Sequence, residues 1–282
     1  MVRKLFKHEF AALGRILLPT YAIMLIIAVG TRIVQFFRVD HLAYQLAFFG
    51  AASFFFLACI VCALMTMVVG VVRYYTHFFT RQGYLTFTLP ATPTQQLWVK
   101  LLSLLLFYLF ATVTIMVSAL VAIRWDLLFE IIKAAVYLLE SLFTEINIGV
   151  NLAVLAAEYL VLMAVGTVVG ILILYTCMNI GQLAHKARIV WSIVAYFAYE
   201  AIVYAISTVL QVVLTALPLL LMPLMEISLF KDLFTTIGTF FESYPFVVIH
   251  SVMALSILGQ LVFCVVLFLV SRYILKRRLN LE

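Results

Sequence analysis

Charged residues along this chain come in short clusters, and the stretches between the clusters are almost uninterrupted apolar sequence. Six such runs stand out: Ile16 to Thr31, Leu42 to Val72, Leu101 to Ile123, Ile146 to Ala184 broken by Glu158, Ile189 to Met225 broken by Glu200, and Phe246 to Ser271. Roughly 20 apolar residues in a helix cross the hydrocarbon of a bilayer. Each run is long enough, the first by extending past Arg32, whose long side chain can reach outward to the headgroups. Open strands would leave backbone groups unpaired in lipid, so these spans are helices. The expected fold is therefore an all-α integral membrane protein of six transmembrane helices, a single transmembrane domain over residues 1–282.

Composition agrees: 67% of the 282 residues are hydrophobic and only 11% are charged, against about 25% charged in an ordinary soluble domain. Six spans and short connections use up the chain, so chemistry that needs a folded aqueous domain has to come from a partner. Orientation follows from the cations. With a cytoplasmic N-terminus, 13 of the 18 Lys and Arg residues lie inside, among them Arg3, Lys4, Lys7, Arg15, Arg73, Arg81, Lys100, Lys186, Arg188 and Lys276. Arg32, Arg38, Arg124, Lys133 and Lys231 lie outside. The positive-inside rule then gives N-in and C-in.

Two amphipathic stretches lie outside the spans. Residues 1–15 place Lys4, Lys7, Ala11 and Arg15 opposite Val2, Phe6, Phe10 and Leu13, the pattern of a basic helix on an anionic inner leaflet. A cleaved signal peptide is the rival reading, because a charged stretch precedes an apolar one. Within residues 124–149, Asp126, Glu130, Lys133 and Glu140 recur along one narrow stripe, as in an extracellular amphipathic helix rather than a seventh span. A crossing there would also move the basic 185–188 loop and the Lys276-Arg277-Arg278 tail outside.

Catalytic motifs are sparse. No Gly-x-x-x-x-Gly-Lys-Ser/Thr loop is present, so the chain does not bind ATP in the P-loop manner. His8-Glu9 opens like a zinc-protease motif, but position 12 is Ala, and no Gly-x-Ser-x-Gly elbow occurs. Cys59, Cys62, Cys177 and Cys264 all fall within apolar runs and read as small buried hydrophobes. Cys59 and Cys62 share the C-x-x-C spacing, yet nothing nearby completes a metal or redox site. No enzyme activity, bound cofactor or nucleic-acid partner is expected of the chain itself.

Polar residues inside the spans are the remaining candidates. In the fifth run, Ser192, Tyr196, Glu200, Tyr204, Ser207 and Gln211 recur every three or four residues, a stripe down one helix face. Glu200 falls near the midplane, where ionisable groups are costly and face a partner helix or an aqueous path. The stripe reads either as a lining of a translocation path or as a seam to a second copy. In the fourth run, Gly166-Thr-Val-Val-Gly170 has the small-xxx-small spacing of close helix packing. His250, at the outer start of the sixth, is expected to be hydrogen-bonded within the protein.

The connection between the second and third spans, residues 73–100, carries the most specific pattern. It contains Gly83-Tyr84-Leu85-Thr86-Phe87-Thr88-Leu89-Pro90, then a Gln-rich helix start and Lys100 at the head of the next span. This segment resembles the cytoplasmic loop of ABC type-2 exporter permeases. The resemblance extends to the basic amphipathic N-terminus, the six spans, and short re-entrant helices expected at 219–245 between breaks at Pro218, Pro223 and Pro245. It departs from the family at Arg81 and Gln82, where an acidic residue often precedes the Gly. From alternation alone, Leu85 to Leu89 reads as a strand, so a coupling helix there is what the resemblance implies.

The resemblance implies a permease subunit in a bacterial plasma membrane, paired with a second identical or homologous permease. Two copies of an ATPase subunit would hold the ATP and Mg and dock on Tyr84, Leu85, Phe87, Leu89 and Pro90. Exporters of amphipathic peptides such as bacteriocins, from Gram-positive bacteria, are the members it resembles most, and the 24 Phe residues accord with an apolar or amphipathic cargo. Two other classes stay open: a non-transporting immunity or scaffold protein, and a secondary transporter with Glu158 and Glu200 as coupling residues.

Overall fold

The structure is a computed structural model that describes residues 2–37, 42–80, 83, 92–123, 129–130, 132–138, 141, 152–184, 186–221, 232, 235–236, 238–239 and 243–277. Six long helices carry most of the described residues: α1 (Val2–Phe36), α2 (Leu42–Phe79), α3 (Pro93–Ala122), α4 (Leu152–Gly181), α5 (Arg188–Leu221) and α6 (Pro245–Arg277). All six are long and apolar enough to cross a membrane, and no strand occurs among the described residues. The chain is a multi-pass, all-helical membrane protein.

Helix boundaries depart from the apolar runs in an informative way. Residues 2–36 form one continuous helix of 35 residues, so the first fifteen residues are not a separate element ending at Arg15. At 1.5 Å per residue that helix is roughly 50 Å long, well beyond the hydrocarbon thickness. Likewise α2 continues past Val72 to Phe79, and α3 starts at Pro93 rather than Leu101. Hydropathy marks where lipid begins. The helices run further because their extensions have protein to pack on. Toward the other end, α5 passes through Pro218 to Leu221 rather than breaking there. Residues 132–138 are helical and exposed. Most of 124–149 and of the expected re-entrant segment 219–245 lies outside the described residues.

The chain divides into two compact units, Met1–Glu140 with Leu275–Glu282, and Ser141–Ile274. In the first, α1 packs on both α2 and α3, and α2 on α3. Leu13, Leu17, Tyr21 and Met24 bury one face of α1 against Cys62 of α2 and Phe107 and Ala111 of α3. Within this core the Tyr21 hydroxyl donates to the Phe107 carbonyl at 3.0 Å and lies 3.1 Å from Thr66 Oγ1. Thr66 in turn donates back to Cys62 O, so neither hydroxyl is left unpaired in an apolar interior.

Both ends of α3 are capped. At its start, Thr92 Oγ1 accepts from the Gln95 amide and the Gln95 side chain accepts from the Thr92 amide, a capping box with Pro93 in the first turn. At its end, Gln35 Nε2 donates to Ala122 O at 2.6 Å and Arg32 to Ile123 O at 3.3 Å. A cation at a helix C-terminus also meets the negative end of the dipole. Because Glu9 meets Lys100 while Gln35 meets Ala122, α1 and α3 run parallel. Tyr21 meets Thr66 and Glu9 meets Arg73, so α2 runs antiparallel to both.

In the second unit α4 packs on α5 through a tight hairpin. Ala187 adopts φ 52° in the turn before α5, the left-handed region that non-glycine residues enter rarely. Gly181 lies so close to Ser192 that a Cβ there would sit 2.0 Å from Ser192 Oγ and 2.5 Å from its backbone N. Close packing therefore occurs here rather than at the expected small-xxx-small face: a Cβ at Gly170 meets nothing within 4 Å, and one at Gly166 meets only Gln260 Oε1 at 3.6 Å. Helices α4 and α6 run parallel, tied by Glu158 to His250 at one end and Thr176 to Ser271 at the other.

Candidate functional site

Two polar constellations interrupt an otherwise apolar molecule, one in each unit. The first gathers on Glu9, which α1 buries to 4% exposure two turns into its length. Its Oε2 accepts from Arg73 Nε at 3.1 Å, its Oε1 accepts from Lys100 Nζ, and His77 Nδ1 stands 4.0 Å from Oε1. Arg73 and His77 lie one turn apart on α2, on the face that meets α1, and Lys100 comes from α3 at 5% exposure. The Lys100 ammonium also stands 5.2 Å from the centroid of the Phe78 ring, within cation–π range. A buried carboxylate and ammonium each need such partners, since transfer of an unpaired ion out of water costs several kcal/mol or more.

The cluster bears directly on the 73–100 connection. Arg73 and His77 form its first part, on the last turns of α2, and Lys100 closes it two turns into α3. One carboxylate thus ties both flanks of the connection to α1. Between α2 and α3, Thr80, Gly83 and Thr92 are described, and Gly83 N donates to Thr80 O at 2.7 Å. The candidate docking residues Tyr84, Leu85, Phe87, Leu89 and Pro90 lie outside the described residues.

No protein-family model, curated protein or solved structure matches the chain.

The second constellation lies in the unit of α4, α5 and α6. The polar stripe of α5 does not have one environment along its length. Ser192 is buried against Gly181, its hydroxyl donating to Arg188 O at 3.0 Å. Tyr196 is half-buried, one helical turn before Glu200. Glu200, Tyr204, Ser207 and Gln211 are exposed. The stripe is therefore sealed by α4 at its N-terminal end and open along its C-terminal half. Glu158 is not isolated: its Oε2 lies 2.6 Å from His250 Nδ1 across α4 and α6, which supplies the hydrogen bond expected for His250.

Glu9 escaped the reading of the sequence as a site, because its partners stand 64 and 91 residues away and no local spacing points to them. One signal was present. Glu9 is the lone acidic residue amid the cations of residues 1–15 and 73–100. All four cysteines are free thiols, and no group of three or more His, Cys, Asp or Glu side chains among the described residues could hold a metal.

Proposed function

We propose that the chain is the permease subunit of an ATP-binding cassette exporter in a bacterial plasma membrane, driven by a separate ATPase. The observation that carries this reading is the place of the 73–100 connection. The segment that resembles a coupling loop leaves and re-enters a three-helix unit whose inner end is fixed by the Glu9 cluster. A docking element can move helices only if its flanks are rigidly attached to them, and both flanks here are. Tyr84, Leu85, Phe87, Leu89 and Pro90 serve as the contacts to the ATPase. The exposed half of the α5 stripe supports a contact with a second permease or with cargo, since Glu200 facing lipid alone would be costly. The cargo is an apolar or amphipathic molecule such as a peptide.

The test is to solubilise the tagged full-length chain gently from the membranes of its native host and identify what co-purifies. A stoichiometric protein with a P-loop, whose ATP hydrolysis changes on binding the chain, supports the reading. Repeated recovery of the chain without any such ATPase overturns it.

A second reading has one observation in its favour. Glu158 is paired with a titratable partner, His250, between two spans, as suits a proton-coupled secondary transporter with Glu158 and Glu200 as coupling residues. Transport by the purified chain alone, driven by a pH gradient and without ATP, would select it.

A further inference from the structure

The sequence shows α1 beginning with a basic amphipathic stretch suited to lie on a membrane, yet in the structure that stretch belongs to the same uninterrupted helix as the span. Its exposed face holds Arg3, Lys4, Lys7 and Arg15, and its opposite face holds the buried Glu9. An acid on the apolar face would oppose surface binding. Here it is what joins α1 to α2 and α3, through charge-assisted contacts that are stronger than neutral hydrogen bonds.

We propose that Glu9 is a positioning residue that locks the first turns of α1 to both flanks of the connection between α2 and α3. Three features carry this. Glu9 uses both carboxylate oxygens, one toward each neighbouring helix, so a single side chain spans the junction. Its contacts on α2 fall within the last two turns before the connection, and its contact on α3 falls two turns after the connection ends. Finally, the flanks are stiffened locally: Tyr74 and Phe78 are buried and stacked edge-on at 4.9 Å, and Thr92 closes the capping box. Motion of α1 is thereby shared by the ends of α2 and α3, and motion of either reaches α1. The functional consequence, that a force applied at the connection is transmitted into α1, rests on the exporter reading; the lock itself does not.

The experiment uses the full chain in lipid nanodiscs, with Cys59, Cys62, Cys177 and Cys264 replaced by Ala. Spin labels at Lys7 and Thr80, and separately at Lys7 and Thr94, report the distance from α1 to each flank without touching the Thr92 cap. The parent is expected to give a single narrow distance peak for both pairs. Glu9→Gln, which keeps the shape and removes the charge, is expected to lose the narrow peak in both. Glu9→Asp, which keeps the charge, is expected to retain it, and so is Gln35→Ala at the far end of the same helix. The double change Glu9→Gln with Lys100→Met leaves no unpaired buried ammonium, so it folds even if the single variant does not, and it too is expected to lose the narrow peak for Lys7 to Thr94. Narrow peaks in either Glu9→Gln pair, or equal broadening by Gln35→Ala, overturn the lock. Broadening by Glu9→Gln in a chain that captures no ATPase would retain the lock and reject the exporter reading. Unchanged peaks in a chain that does capture an ATPase would do the reverse.

Discussion

Glu158 and His250 stand 92 residues apart in the chain and meet at 2.6 Å, carboxylate oxygen to Nδ1, with neither side chain more than a quarter exposed. Away from water, removing one partner leaves the other without its hydrogen bond, a penalty of about 1–3 kcal/mol. Removing both leaves nothing unsatisfied. Glu158→Met and His250→Leu are thus expected each to destabilise the protein. The double variant is expected to be little worse than either alone, with a coupling energy of about 1 kcal/mol by equilibrium unfolding in mixed micelles. Additive losses would show that the contact contributes nothing as a pair.

The glycines predict a graded series. A methyl at Gly181 would strike the Ser192 backbone N and Cα at 2.5 and 2.6 Å. Backbone cannot rotate aside, so Gly181→Ala is expected to cost about 3 kcal/mol or more and to splay the α4–α5 hairpin. At Gly70 the obstacle is the Leu104 side chain at 2.4 Å, which can change rotamer, and the cost falls to about 1–2 kcal/mol. Gly170→Ala meets nothing and is expected to be neutral or stabilising by up to about 1 kcal/mol through helix propensity. Thermal unfolding of the three variants in one detergent checks the order; Gly170→Ala as the worst would invert it.

What the sequence could reveal tracks the reach of its signals. Lipid imposes apolarity on every residue of a span, so Leu42 to Val72 and Phe246 to Ser271 could be placed from their lack of charge alone. The extensions at Arg73 to Phe79 and at Pro93 to Val99 follow a different rule, burial against other helices, and hydropathy is blind to it. The Gly166-to-Gly170 spacing was a true pattern without close helix backbone against it, whereas Gly181 has no spacing signal and is the glycine packed on backbone. Pairings such as Glu9 with Lys100 depend on which helices become neighbours, which periodicity within one helix does not encode.

Topology is open to a direct check. Introduced singly into a chain without native cysteines, Cys at Lys7 and at Thr80 is expected to resist an impermeant thiol reagent in intact cells and to react once the membrane is opened. Cys at Tyr137, which is exposed in the 132–138 helix, is expected to react without permeabilisation. Reaction at residue 80 in intact cells would reverse the orientation drawn from the 13 inner cations.

Glu200 offers a test of the open half of the α5 stripe. Its face from residue 200 to 213 is exposed throughout, so little within the chain depends on its charge. Glu200→Leu is expected to leave the thermal stability of the isolated chain unchanged while reducing transport or the recovery of permease dimers. A loss of stability in the isolated chain would place its role inside the subunit, and full activity would make the stripe incidental.

The proposed coupling residues carry the sharpest prediction. An element between two spans transmits force to a partner only if its apolar side chains fill pockets there, because a few such anchors dominate the energy of an interface. Tyr84, Leu85, Phe87 and Leu89 are the apolar candidates, and the two aromatics are the residue types most able to serve. Each anchor is worth about 2 kcal/mol or more when it is a hot spot, and about 4 kcal/mol corresponds to a loss of affinity on the order of a thousandfold. Tyr84→Ala with Phe87→Ala is therefore expected to leave the chain folded in the membrane, because the core of its first unit, from Leu13 to Met24 with Phe107, lies on other residues. ATPase association is expected to fall by that factor and export to cease. The measurement is binding of the ATPase to nanodisc-held chain alongside cargo export in cells. Undiminished binding and export by the double variant would remove the 84–90 segment from the coupling path, and with it the strongest link between this chain and ATP-driven transport.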